Sequence, residues 1–255
     1  MRLVADLRRL SAAHPRFGYR RIDALLRNEG WRVNVKRIER LWRREGLQVP
    51  QTRRKRRRLG HSANSCTRRR PEYPGHVWSY DFLHERTADG RRLKILVVVD
   101  EYTRRALAIH VARRLKSRDV IHVLEGLIAS HGAPGHIRSD NGPEFIAEAV
   151  RRWLESQGIE TLFIEPASPW ENAYVESLNG RLRDELLDGE VLTSLAEAAW
   201  LIERWRREYN EARPHGSLGY LTPAAFAASW AASNSASLRS NRPRTRLNPQ
   251  PLLLT

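Results

Sequence analysis

The sequence predicts an α/β domain on a mixed sheet, preceded by a small all-helical domain. Three observations carry this. The first 70 residues hold 22 Lys+Arg against 5 Asp+Glu, while residues 71–255 hold 23 against 24, so the whole formal charge of +16 sits at the front. Apolar residues recur at helical spacing up to Gly46 and switch to extended, aromatic and β-branched runs after Pro74. Three adjacent strand segments then give way to alternating helices and strands, which argues that the first three strands are antiparallel and the later ones parallel additions.

The elements follow in order. Leu3, Leu7 and Leu10 mark a first helix, broken at His14-Pro15-Arg16-Phe17-Gly18. Ile22, Leu25 and Leu26 mark a second, ended by Gly30. Asn34 is a candidate N-cap for a third through Ile38, Leu41 and Trp42, stopped at Gly46. The outer face of that helix carries Lys36, Arg37, Arg40, Arg43 and Arg44, so about 35–45 reads as the recognition helix of a helix-turn-helix-like module over 1–50. A generic amphipathic helix with a solvated face has the same pattern.

Residues 51–72 read as a basic linker. Its run Arg53-Arg54-Lys55-Arg56-Arg57-Arg58 would give a salt slope of about −5 if all six met phosphates; a solvated linker is the alternative. Only four of the 45 cations are lysine, which suits bidentate phosphate contact and equally a GC-rich genome. The core is expected over 73–228, with strands at 76–85, 93–100, 105–111, 137 and 160–164, and helices at 119–131, 143–157, 171–187 and 194–210. Trp200 and Trp205 are read as core packing. Residues 229–255 lack periodicity and are expected to form a disordered basic tail.

Composition excludes several classes. A single cysteine, Cys66, rules out an intramolecular disulfide framework and a multi-cysteine zinc site. No apolar run of about 18 residues predicts a membrane-spanning helix, and no signal-peptide pattern follows the basic start. A cytoplasmic protein with a polyanionic partner is expected.

Three carboxylates stand out. Asp81 lies in the aromatic strand Trp78-Ser79-Tyr80-Asp81-Phe82, on the face opposite Tyr80 and Phe82; an edge-strand Asp facing water is the alternative. Asp140 closes the fourth strand, where ligands collect in open sheets, although Asp140-Asn141-Gly142 would be a good turn in any case. Glu176 shares a helix side with Asn172, Asn179 and Arg183, and taken singly would be solvated surface. Together they could converge on a pair of divalent cations and serve phosphodiester chemistry. Without metal they would repel one another.

These segments resemble a known family. His14–Ile22 (HPRFGYRRI), Asn34–Leu47, Trp78–Phe82 (WSYDF), Ile137–Phe145 (IRSDNGPEF), Ser168–Asp188 (SPWENAYVESLNGRLRDELLD) and Arg213–Phe226 (RPHGSLGYLTPAAF) are similar to the OrfB transposases of insertion-sequence family three. These belong to the DDE transposase and retroviral-integrase superfamily. The 35 residues between Asp140 and Glu176 match that family's last acidic spacing, and Arg183 falls on its following basic position.

The resemblance implies a ribonuclease-H-like mixed five-stranded sheet flanked by helices. It implies that Asp81, Asp140 and Glu176 are the catalytic, metal-binding triad, holding two Mg²⁺ ions that Mn²⁺ could replace. Arg183, with Arg181 as a further candidate, would contact terminal DNA. Asn141, Gly142, Asn172 and Asn179 would support the site. Asp100 is read as structural or supporting, and Glu144, Glu171 and Glu185 rank below the triad.

The activity implied is DNA cleavage and strand transfer at insertion-sequence ends by a nucleoid-associated bacterial enzyme. Its partners would be double-stranded DNA (terminal repeats and target) and further copies of the chain. Family members are often fused by frameshifting behind a short product with a leucine zipper; no sustained heptad occurs here, so such an upstream-frame product is an expected partner. A non-catalytic DNA-binding regulator and a nuclease that only hydrolyses are the alternatives.

Overall fold

The computed structural model describes residues 2–50, 69–139, 144–163 and 172–240. Three helices open the chain: α1 (Arg2–Ala13), α2 (Tyr19–Asn28) and α3 (Val35–Arg44). They close on one small core of Leu7, Ile22, Leu26, Ile38 and Trp42. Asn34 caps α3 as expected, its side chain accepting from the Lys36 N–H at 2.9 Å. Gly46, at φ +67°, lets the Leu47 N–H return to the Trp42 carbonyl at 3.1 Å. Gly30, at φ +91°, does the same for Trp31 and Leu26. Both helices therefore end in the left-handed turn that glycine adopts without strain.

The second unit is a five-stranded sheet in the order β3-β2-β1-β4-β5. Its strands are β1 (Val77–Arg86), β2 (Arg92–Asp100), β3 (Ala106–Ala112), β4 (His136–Ser139) and β5 (Glu160–Phe163). β1, β2 and β3 pair antiparallel, and β4 and β5 add in parallel, as the element order predicts.

Helices α4 (Ser117–His131) and α5 (Glu144–Ser156) cover one face. There Val120, Leu124, Val150 and Leu154 pack on Trp78, Tyr80, Leu96 and Val98. α6 (Ala173–Leu182) and α7 (Leu195–Glu211) cover the other. There Val175, Leu178, Ile202 and Trp205 pack on Leu83, Ile95, Val97 and Val99. With both faces covered, β2 reads as a continuous apolar run instead of alternating.

Two expectations need correction. The tail was expected to be disordered from 229, but α8 (Pro223–Ser240) continues through that boundary. Thr222 caps it, Pro223 occupies its first turn, and Trp230 and Phe226 pack against Tyr102 at 6.4 and 5.7 Å. Its alanines favour helix without producing an amphipathic pattern. Residues 241–255 lie outside the described residues. Trp200 is not core: it is 62% exposed, while Trp205 is buried. Five residues apart on a helix, the two rings point about 140° away from each other. Among the described residues no helix is long and apolar enough to cross a membrane.

Candidate active site

Pleating places Ser79, Asp81 and Leu83 on the α6 face of β1. Asp81 is half-buried there, opposite Val97 of β2. Its Oδ2 accepts from the amide Nδ2 of Asn179 at 2.8 Å, and its Oδ1 accepts from the Phe82 N–H at 2.7 Å. α6 inserts Val175, Leu178 and Leu182 into the core and leaves Glu176 exposed in its first turn. Glu176 and Asn179 are three residues apart, hence neighbours on one side of the helix. The residue that fastens α6 to Asp81 thus stands directly beside Glu176.

Asn172, one turn before Glu176, is buried at the helix start. The Oδ1 atoms of Asn172 and Asn179 are buried with no hydrogen-bond partner among the described residues. Asp140, Asn141 and Gly142 lie outside the described residues, as do Arg53, Arg54, Lys55, Arg56, Arg57 and Arg58 of the linker, and Glu171. Among the described residues no three His, Cys, Asp or Glu side chains gather as a metal cluster.

Beneath Asp81 is a charged pair that sequence reasoning missed. Glu101 is fully buried, and its carboxylate accepts from Arg138 Nη1 at 3.1 and 3.2 Å and from the Ser79 hydroxyl. Arg138 Nη2 also donates to the Arg69 carbonyl at 2.9 Å, where the chain enters the core. Ser79 and Arg138 are register partners in the parallel β1–β4 pair. Two residues beyond them in sequence stand Asp81 and Asp140. The only sequence signal was an arginine inside a short apolar strand.

Asp100 is structural. It accepts from the Thr103 hydroxyl at 2.6 Å and the Tyr102 N–H at 3.2 Å, and burial raises its pKa above the usual carboxylate range. Glu185 is bound at 2.9 and 3.0 Å by Arg213 Nε, both side chains being nearly buried.

Lys36, Arg37, Arg40, Arg43 and Arg44 are all exposed on α3. Arg43 is paired with Glu39 at 2.7 Å and Arg44 with Glu45 at 3.3 Å. Arg183 is exposed at the turn of π-helix (Arg183–Leu187) that continues α6, and Arg181 donates to the Ser177 carbonyl at 3.2 Å. The helical unit docks beside this turn. Phe17 is buried 5.5 Å from the Arg213 guanidinium, Arg16 meets Asp184 at 3.5 Å, and His14 meets Glu208 at 3.4 Å. The motif His14–Ile22 is thus, in part, a docking segment.

Family models agree with both units. An HTH-like domain matches residues 1–56, and two integrase core domain models match residues 71–169 and 157–223. An insertion element IS407 protein of Burkholderia multivorans is 42% identical over 226 residues, spanning 89% of this chain and 80% of its own length. The chain belongs to the insertion-element transposases with an integrase core. An insertion element IS476 protein of Xanthomonas euvesicatoria is also 42% identical, over 89% of this transposase chain. The chain spans 65% of that relative's length. A cryoEM structure of the simian T-cell lymphotropic virus intasome shares the fold at 20% identity, with a TM-score of 0.53 over 88% of this chain and 72% of its own. The transposase core is therefore the ribonuclease-H-like mixed sheet flanked by helices that the resemblance implies.

Proposed function

We propose that this transposase cuts DNA at insertion-sequence ends and joins the freed 3′-hydroxyl to another strand, using Asp81, Asp140 and Glu176. The observation that carries the reading is the Asn179–Asp81 hydrogen bond, which holds the Glu176 helix against the Asp81 strand. Asp140 follows Arg138 by two residues in sequence, as Asp81 follows Ser79, the register partner of Arg138.

The donor set fits a hard divalent cation. It offers carboxylate and amide oxygens, and two buried amide oxygens beside it lack a partner among the described residues. Asp81, Asp140 and Glu176 would hold two Mg²⁺ ions, with Mn²⁺ as a substitute. Bound divalent ions supply activation of the attacking oxygen and neutralisation of the leaving one.

The remaining work belongs to the chain. Asn179 orients the Asp81 carboxylate, and Asn172, Asn141 and Gly142 would support the site. Glu176 would join Asp81 from the exposed side of α6. Arg183 and Arg181 hold the terminal DNA beside it, while Lys36, Arg37, Arg40, Arg43, Arg44 and the run Arg53–Arg58 hold flanking duplex. As the 3′-hydroxyl oxygen bonds to phosphorus, the target strand's P–O bond breaks and the hydroxyl proton passes to water. Positioning in line carries much of the acceleration.

The active complex would contain more than one copy on terminal-repeat and target duplex, with an upstream-frame product or fusion as partner, at the bacterial nucleoid. The test supplies a pre-cut 3′-end, target duplex and Mg²⁺. Joined strands are expected, and none in chelator. Hydrolysis without joining would indicate a nuclease, and protection of the ends without any cut strand a regulator; either outcome overturns the reading.

A further inference from the structure

Past Asp81, β1 runs on to the hairpin that joins it to β2, and there the sheet carries cations facing cations. In the antiparallel register Arg86 stands directly opposite Arg92, and His84 directly opposite Lys94. Alternation puts all four on the face of Phe82, whose ring lies 4.0 Å from Lys94 Nζ. Arg113 and Arg114 follow the end of β3. His84, Arg92, Lys94, Arg113 and Arg114 line one groove of about 620 Å³, and Arg86 joins His84 and Arg92 in the adjoining one.

Like charges set directly across an antiparallel pair destabilise it. The local acids do not relieve this. Glu85 lines the adjoining groove, but its carboxylate accepts from the Arg86 backbone N–H and makes no ion pair among the described residues. Asp89 at the hairpin tip accepts from the Thr87 hydroxyl and the Arg91 N–H. Among the described residues Arg86, Arg92, Lys94 and Arg114 have no ion-pair partner. The hairpin is also braced: Arg113 Nη1 donates to Thr87 Oγ1 at 2.8 Å and to the Arg91 carbonyl at 3.1 Å. These cations stand on paired strands, so little backbone freedom remains to be lost on meeting an anion.

We propose that this hairpin face is a second DNA-backbone site, separate from the helical domain and from the carboxylates. It would bind phosphates of duplex extending beyond the reacting phosphodiester. Arg86 is five residues past Asp81 on the same strand, roughly 17 Å along it. The inference rests on the DNA-processing reading of the core. A polyanion laid on this face would offset the repulsion between the facing cations.

The test is fluorescence anisotropy of the full chain with a random-sequence duplex of about 30 base pairs, between 50 and 200 mM salt. R86Q/R92Q/R114Q should weaken binding at least tenfold and reduce the log–log salt slope by about 2.7. Its thermal midpoint should hold or rise, as should that of R92E, which places an acid opposite Arg86. K94Q alone should reduce the slope by about 0.9 and serves if the triple variant fails to fold. An unchanged slope in a folded variant overturns the proposal. So does a variant that loses poly-glutamate binding while keeping duplex affinity. Joining is not the readout: a chain that never joined DNA, yet lost salt-sensitive binding in these variants, would retain this site and remove the transferase reading.

Discussion

Asn179 and Asp81, 98 residues apart in sequence, are joined by a 2.8 Å hydrogen bond from amide to carboxylate. The bond ties a helix on one face of the sheet to the central strand, and it does so one turn from Glu176. N179L should therefore lower joining by about 10–100-fold, the usual cost of losing a partner that orients a site carboxylate. N179D places a second carboxylate against the first, so one of the two must hold its proton to higher pH. The acid limb of its joining rate should move upward, and that of N179L should not. A wild-type rate and pH profile in both would contradict the role.

His215 should make the fold acid-sensitive. It is buried against Tyr209, its Nε2 lies 3.3 Å from the Tyr209 carbonyl, and burial with the nearby Arg213 charge lowers its pKa to about 3. The unfolded chain takes a proton near pH 6.5 that the folded chain refuses. Stability is therefore full above about 6.5 and lost as pH falls toward 3, on the order of 2 kcal/mol by pH 5. His131 and His136 are also lowered by burial and act in the same direction. Urea unfolding at pH 7.5 and 5 checks this. H215N should flatten the difference, and an unchanged difference would count against it.

Arg213 and Glu185 hold the docking site of the helical unit. Removing one member leaves a charge buried alone, so R213M should cost about 3–5 kcal/mol. R213M/E185L should recover much of that loss, because the stranded carboxylate goes with it. A double-mutant cycle by urea titration measures the coupling. A single-variant loss below about 1 kcal/mol would show that the pair carries little.

Much of this was legible in sequence because it is local. Asn34 and Gly46 announce the ends of α3 by their own chemistry, and the apolar run Leu96–Val99 announces a strand buried on both faces. The Asp81–Asn179 link was legible in part, because Asn179 falls on the same helix side as Glu176. What was missed depends on register and long-range pairing. Glu101 and Arg138 meet only because β1 lies between β2 and β4. Arg86 and Arg92 oppose each other only because the hairpin turns where it does. The helix of residues 229–240 was missed because an alanine-rich segment forms helix by propensity and shows no periodic face.

The most direct measurement compares D81N, D140N and E176Q with the wild-type chain for joining of a pre-cut end in Mg²⁺. Each substitution keeps size and removes one charge, and each should lower the rate by about a thousandfold or more, on the order of 4 kcal/mol of lost transition-state stabilisation. Near-wild-type joining by any one of them would contradict the shared site.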